Sequence, residues 1–296
     1  MPTPLPAALA AAFTVAEARD HDVSSKRLRG RDLIAPTRGL RCSSGPADSV
    51  HEHARRFSLV LPTDCAFSHI TAARLHGLPT PHPWRAVEEP LDVMRERSLN
   101  RVTRTGCRPH RGLETRGVVV LDGLRVTGAL DTWCDLGAQW TAPHLLAAAD
   151  LLVRRRVVSM AALHDAASAR AGRPGADTLR AVARLARSGS ASPWESIARH
   201  WFHTWGLPEP ELNVAVLDEH GQWLATSDFL WRRHRVVGEY DGDTHRSDRR
   251  SWLAGRERRT AIEDAGYTYV DMTAMSFTDA HRREALRVRL ARKLSP

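Results

Sequence analysis

Lysine is nearly absent. Of the 43 basic side chains only Lys26 and Lys293 are not arginine. Guanidinium groups favour planar, bidentate contacts with phosphate, although a GC-rich genome also turns lysine codons into arginine codons and leaves the same composition. Cysteine is scarce too. Cys42, Cys65, Cys107 and Cys134 form no C-x-x-C pair, which argues against a zinc site or a disulfide framework and reads as four reduced thiols. Long apolar runs are missing: the longest are Pro2 to Ala12 and Leu145 to Val153, the latter interrupted by Asp150. Neither approaches the roughly 20 residues of a bilayer span, so a soluble chain with no membrane partner is expected. The alanine-rich start has no positively charged leader region and Thr14 to Glu17 reads as helix, so no signal peptide is expected and the expected compartment is the cytoplasm.

What is present is an ordinary globular mixture of 296 residues, 42% apolar and 26% charged, enough for about two domains and unlike a disordered or fibrous chain. The net charge of +9 is unevenly placed: residues 1–188 carry 27 basic and 18 acidic side chains, residues 189–296 sixteen of each. The small-residue stretch Arg187-Ser-Gly-Ser-Ala-Ser-Pro193 separates these regions and reads as a linker. A second boundary is expected near residue 50, after Ser43, Ser44, Gly45 and Pro46.

The first forty residues read as short helices and a hairpin. Thr14 and Glu17 have capping-box spacing. Ser24 or Ser25 can cap a helix carrying Lys26, Arg27, Arg29 and Arg31, and Pro36-Thr-Arg38-Gly39 makes a hairpin tip between Leu33-Ile34 and Leu40-Arg41. This is the outline of a winged helix-turn-helix, with those five cations against DNA phosphates; a small helical cap with a solvated basic face has the same outline. Further on, strands are expected near Leu91 to Met94 and Val118 to Val126, with helices after Thr127, Pro143 and Ser159. His51-Glu52-His53, read as extended, places neighbours on alternate sides and makes a poor ligand set.

Residues 192–296 carry the chemistry. Ser192, Pro193 and Glu195 supply an N-cap, a first-turn proline and a capping-box acid. Trp194, Ile197, Ala198, Trp201, Phe202 and Trp205 then form one apolar face ending at Gly206-Leu-Pro208. An antiparallel meander follows over Leu212 to Leu217, Trp223 to Trp231 and Arg235 to Asp241. After it come a basic helix from about Arg249 to Ala265, a strand from Tyr267 to Val270 and a helix from about Thr278 to Lys293. Alternation puts Glu239 and Asp241 on one face, with Cα atoms roughly 6.6 Å apart, where two negative charges repel by about 2.5 kcal/mol at an effective dielectric near 20. Asp228 on the preceding strand can join them, and three oxygen donors suit Mg²⁺ or Mn²⁺. Singly, each acid also has a plain account: a cap for Glu195, a strand-end solvent residue for Asp228, turn chemistry for Asp241-Gly242.

The segments FTVAEARDHDVSSKRLRGRDLIAPTRGLRC, CAFSHITAARLHGLP and LRVTGALDTWCDLGA resemble the amino-terminal and middle parts of AbiEi-type antitoxins and transcriptional regulators, over roughly residues 8–160. The resemblance implies a DNA-binding head on a mixed helix-and-strand body, and a toxin partner whose identity it does not give. SPWESIARHWF, SDFLW, VVGEYDGDTH and RRTAIEDAGYTYVDMT resemble proteins related to very-short-patch-repair endonucleases of the PD-(D/E)XK superfamily, over about residues 192–272. That resemblance implies metal-dependent hydrolysis of a DNA phosphodiester, with Glu195 as helix-borne acid and Asp228, Glu239 and Asp241 as strand acids. His245 would be the proton shuttle, and Arg246, Arg249, Arg250, Arg256, Arg258 and Arg259 would line the phosphate path. The usual lysine is replaced by Asp241, and Gly255 stands where relatives usually carry aspartate; these departures fit either a variant site or a domain that binds without cutting.

The expected fold class is therefore α/β and multidomain: a winged helix-turn-helix over 1–50, a mixed α+β region over 51–188, and a restriction-endonuclease-like αβββαβα domain over 189–296. Two functions remain: a DNA-targeted, Mg²⁺- or Mn²⁺-dependent endonuclease, and a regulator or antitoxin whose nuclease fold is inactive.

Overall fold

Thr14 caps the first helix as its spacing to Glu17 predicts, with both halves of the capping box made. The computed structural model describes residues 3–43, 45–85, 89–242 and 249–295, with backbone alone for 249–254. The chain is mixed α/β and divides into two compact units, Met1–Leu136 and Gly137–Pro296. No helix among the described residues is long and apolar enough to cross a membrane.

In the first unit β1 (Ala12–Thr14), α1 (Val15–Asp20) and β2 (Leu40–Cys42) form a small head in which β1 and β2 pair antiparallel. The basic helix expected after Ser24 is only a 3₁₀ turn, Arg27–Arg29. Ser24 does accept the Arg27 N–H at 3.2 Å, but Gly30 ends the turn, and the Arg27 guanidinium is spent on Asp32 at 2.7 and 3.0 Å. Lys26, Arg29, Arg31 and Arg38 stay exposed. The expected hairpin is reduced to a single bridge, Ile34 to Cys42.

The body of this unit contains α2 (Val50–Ser58), β3 (Ala66–Phe67), α3 (His69–Leu75), β4 (Leu91–Arg95), β5 (Cys107–Arg111), β6 (Val118–Leu121), β7 (Leu124–Thr127) and α4 (Ala129–Asp135). Its five strands run in the order β5-β4-β3-β7-β6. His51-Glu52-His53 lies on α2 rather than on an extended segment, and Glu52 pairs with Arg56. The Val118 to Val126 stretch folds back on itself, because Asp122 and Gly123 both adopt left-handed φ (48° and 81°) as a tight Asp-Gly hairpin turn requires. Phe57 and Leu40 pack with Phe67, Leu91, Val93 and Val126 in one core.

A polar cluster is also buried in this unit. The Asp92 carboxylate accepts from His110 Nε2 at 2.7 Å and from Arg108 at 3.1 Å. The His110 ring stacks on His69 with centroids 3.6 Å apart. Burial, then the neighbouring His110, push the His69 imidazole down to about 4. Between that value and its ordinary one the unfolded chain binds a proton that the folded chain does not, so stability falls as pH drops through this window, by on the order of 3 kcal/mol. Urea melts at pH 7 and pH 4.5 should show the loss. His69→Asn, which tolerates the left-handed φ of 49° at this position, should flatten it.

The second unit opens with α5 (Ala142–Arg154), α6 (Met160–Ala169) and α7 (Ala176–Leu185), then α8 (Pro193–Thr204), β8 (Glu211–Leu217), β9 (Trp223–Trp231), β10 (Val236–Tyr240), α9 (Arg249–Asp264), β11 (Thr268–Met272), α10 (Met275–Thr278) and α11 (Ala280–Leu294). The meander β8-β9-β10 is antiparallel, and β11 joins β10 in parallel, giving the order β11-β10-β9-β8. One sheet face packs Phe229, Trp231, Val236, Val270 and Met272 against Phe202 of α8 and Leu290 of α11. The other sets Leu230 and Val237 against Ile262 of α9. Gly238 sits where β9, β10 and β11 crowd: a Cβ there would meet the flexible Met272 tip at 2.9 Å and the Trp231 ring at 3.2 Å, so a larger residue requires the surrounding packing to shift.

The boundary expected at 188/189 falls inside this second unit, and the one expected at 50/51 inside the first. The supposed linker is held by a buried ion pair. Asp150 of α5 accepts from Arg199 of α8 at 2.6 Å, from Ser196 at 2.7 Å, from Ser190 at 3.2 Å and from the Arg187 backbone N–H at 2.8 Å.

Candidate active site

Helix α8 starts as its sequence dictates, with Ser192 Oγ accepting the Glu195 N–H at 3.2 Å and Pro193 in the first turn. The second half of the capping box is not made. Instead Glu195 Oε2 accepts from the Ala191 N–H at 2.7 Å and from Asn213 Nδ2 at 2.8 Å, and the residue is 4% exposed. The capping-box account of Glu195 is thus corrected: its carboxylate reaches across to β8. Asn213 has a left-handed φ of 51° inside that strand. The ladder pairs Leu212 with Phe229 and Val214 with Ser227, so Asn213 is the residue opposite Asp228, and its pair is missing.

Asp228 points off β9 toward β10, where its Oδ2 accepts the Tyr240 N–H at 2.8 Å. The register pairs Gly238 with Phe229, so the next step sets Glu239 across from Asp228 on the same face. Glu239 is 9% exposed. Its Oε2 accepts from Arg258 of α9 at 2.6 Å, whereas its Oε1 is buried with no hydrogen-bond partner among the described residues. Burial raises the pKa of both acids. For Asp228 the Tyr240 N–H opposes the rise and the Glu195 charge adds to it. For Glu239 the Arg258 guanidinium opposes it, and the charges of Asp228 and Asp241 add to it. The Tyr269 phenol, pushed up by its own burial and by the Glu239 carboxylate, lies within hydrogen-bonding reach of that carboxylate, short of full hydrogen-bond geometry. Asp241 is exposed at the end of β10, its N–H bonded to Met272 O at 2.8 Å.

The four expected acids therefore lie in one electrostatic neighbourhood, with Arg258 at its edge. They do not form a closed ligand cage: among the described residues no three His, Cys, Asp or Glu side chains are grouped to hold a metal ion. His245 and Arg246 lie outside the described residues, as do the side chains of Arg249 and Arg250. Arg259 pairs with Glu263 at 2.9 Å and covers the Tyr269 ring, so it is partly engaged, while Arg256 is exposed. A Cβ at Gly255 would meet nothing within 4 Å, so packing does not forbid the aspartate that the short-patch-repair resemblance leads one to expect there.

Two residues at this site were not anticipated. Tyr269 looked like an ordinary strand aromatic. Asn213 carried a usable signal, a lone asparagine within the apolar strand Leu212 to Leu217, where strand propensity disfavours it.

Comparison with known proteins yields no matching family model and no matching solved structure. Two uncharacterized proteins of Mycobacterium tuberculosis are similar, MT2308 of strain CDC 1551 / Oshkosh and Rv2248 of strain ATCC 25618 / H37Rv. Each is 29% identical over 194 residues, covering 63% of this chain and 70% of the relative.

Proposed function

We propose that this chain is a DNA-directed, metal-dependent phosphodiesterase, with a restriction-endonuclease-like site in its second unit and a winged-helix-like head in its first. The observation that carries the reading is the Glu239 carboxylate: its Oε1 is buried with no geometrically complete hydrogen bond among the described residues, of which the Tyr269 phenol is in reach, and the charges of Asp228 and Asp241 oppose its own. A buried carboxylate oxygen left short of donors is costly, even with Arg258 on Oε2. Oxygen-only donors fit Mg²⁺ or Mn²⁺, which such sites bind weakly until substrate phosphate completes the shell. Among the described residues Asp228, Glu239 and Asp241 are not grouped as a ligand set; under this reading they would have to close on the ion, which would supply Lewis-acid polarisation of the phosphate.

The chain's own groups do the rest. The Tyr240 N–H fixes Asp228, Arg258 fixes Glu239, and Glu195, held by the Ala191 N–H and Asn213, bears on Asp228 through its charge. His245, by its ordinary pKa, is the side chain best suited to move a proton near neutral pH. Supercoiled plasmid with Mn²⁺ or EDTA tests the reading: nicking should require the metal and vanish in Asp241→Ala. Metal-independent nicking, or an active Asp241→Ala, would falsify it.

The second reading, a regulator or antitoxin with a silent nuclease fold, is favoured by one contact, the Arg258–Glu239 ion pair at 2.6 Å, which already neutralises one acid. Under that reading EDTA changes nothing.

Both readings use DNA. Lys26, Arg29, Arg31 and Arg38 are exposed cations of the head, as is Arg19 on α1. Replacing the first four by alanine should make the log–log salt dependence of duplex binding shallower by about 3.6, at roughly 0.9 per phosphate contact. Arg27→Ala should leave the slope unchanged, since its guanidinium is committed to Asp32.

A further inference from the structure

We propose that Asn213 is a positioning residue that sets Glu195 for the acid site; the inference rests on the phosphodiesterase reading. An L residue enters left-handed backbone in the middle of a strand only where something over-determines it, and such strain concentrates at functional sites. Here φ is 51°, and the break in the ladder falls opposite Asp228. The rotated backbone delivers the Asn213 amide to two acceptors at once, Gly189 O at 2.9 Å and Glu195 Oε2 at 2.8 Å. The Ala191 N–H occupies that same oxygen at 2.7 Å. Oε2 is thus taken by two donors, and no hydrogen bond to Oε1 is made among the described residues. The carboxylate cannot fold back to complete the capping box, and its charge is felt at Asp228. Asparagine suits the position on two counts: it tolerates left-handed φ better than other non-glycine residues, and unlike aspartate it donates a hydrogen bond.

Asn213→Gly separates those roles, because glycine keeps the backbone conformation and deletes only the amide. The test uses the full chain in four forms: parent, Asn213→Gly, Glu195→Gln and the double variant. With Mn²⁺ and supercoiled plasmid, Asn213→Gly should lose about 10- to 100-fold in kcat, the usual cost of removing a group that orients an active-site side chain, with KM for DNA unchanged. In the Glu195→Gln background the same substitution should have little further effect on kcat, since its target charge is gone. A purely structural Asn213 would give the same fractional loss in both backgrounds, and that outcome, or a folded Asn213→Gly cutting at the parental rate, overturns the proposal.

If the parent shows no metal-dependent cutting, the phosphodiesterase reading fails instead. The placement of Glu195 is then judged from melts of the same four proteins in EDTA: non-additive midpoints support the Asn213–Glu195 contact, and additive ones overturn it. Should Asn213→Gly fail to fold, Asn213→Ala takes its place in the cycle: it loses the donor without adding a charge, and the backbone strain it brings is common to both backgrounds and cancels.

Discussion

Under the phosphodiesterase reading proposed above, Asp228→Asn should abolish most of the metal-dependent nicking while making the metal-free protein more stable. The loss is expected to exceed about 100-fold, because even groups one step removed from a metal cost up to that much. The stability gain follows from the direction of the Asp228 pKa, which burial raises above its ordinary value. Between those two values the folded chain holds a proton that the unfolded chain has lost, so native stability declines as pH rises through the window and the full penalty is present at pH 7. Asparagine removes that penalty and can still accept the Tyr240 N–H. A gain of about 1 to 2 kcal/mol is expected, less than bare Coulomb repulsion because water reaches the mouth of the site. Glu239→Gln should gain less, since it frees Arg258, 45% exposed, from its partner. Thermal melts in EDTA beside plasmid assays with Mn²⁺ give both quantities. An Asp228→Asn protein that melts below the parent and nicks as fast would end the metal-site account.

The largest pure stability effect should come from a residue with no proposed role in chemistry. Asp150→Ala is expected to cost about 3 to 5 kcal/mol, the range for stranding one member of a buried ion pair. Asp150 is 1% exposed and Arg199 6%, and burial works against both charges, pushing the aspartate up and the arginine down. Their mutual contact, the Ser190, Ser196 and Arg187 hydrogen bonds to Asp150, and the Arg199 hydrogen bond to Leu185 O offset it. Replacing both, as in Asp150→Leu with Arg199→Met, should recover much of the loss, because no uncompensated charge is left inside. Urea midpoints of the single and double variants decide it: a double variant as unstable as Asp150→Ala would mean that the loss lies in packing.

Much of the second unit was legible in its sequence because its signals are local and strong. Ser192-Pro193 starts α8, Gly206 follows its end, and β9 runs from Trp223 to Trp231 as its alternation predicts. That Glu239 and Asp241 share a face follows from the two-residue period alone. Their partners did not follow, since Arg258 on α9 and the Tyr240 N–H that holds Asp228 are set by tertiary packing and strand register. In the head, the cap at Ser24 was readable but the length of its helix was not. Arg27 spends its charge on Asp32, and Gly30 breaks the turn, so a run of basic residues that scans as a helix closes after three residues. The hairpin over Val118 to Val126 was missed although its Asp122-Gly123 turn is a local signal.

The serine- and glycine-rich stretch from Arg187 to Pro193 has a consequence for modularity. By composition it is where one would expect nature to cut and paste, joining a nuclease-like piece to a different head. Yet Ser190 and the Arg187 amide are tied to Asp150, and the Gly189 carbonyl and the Ala191 amide belong to the Asn213 and Glu195 arrangement. A chain recombined at residue 189 would carry Arg199 into a core without its counter-charge and would lose contacts that hold the Glu195 carboxylate. The compact unit begins at Gly137, and the three helices that precede α8 belong to it.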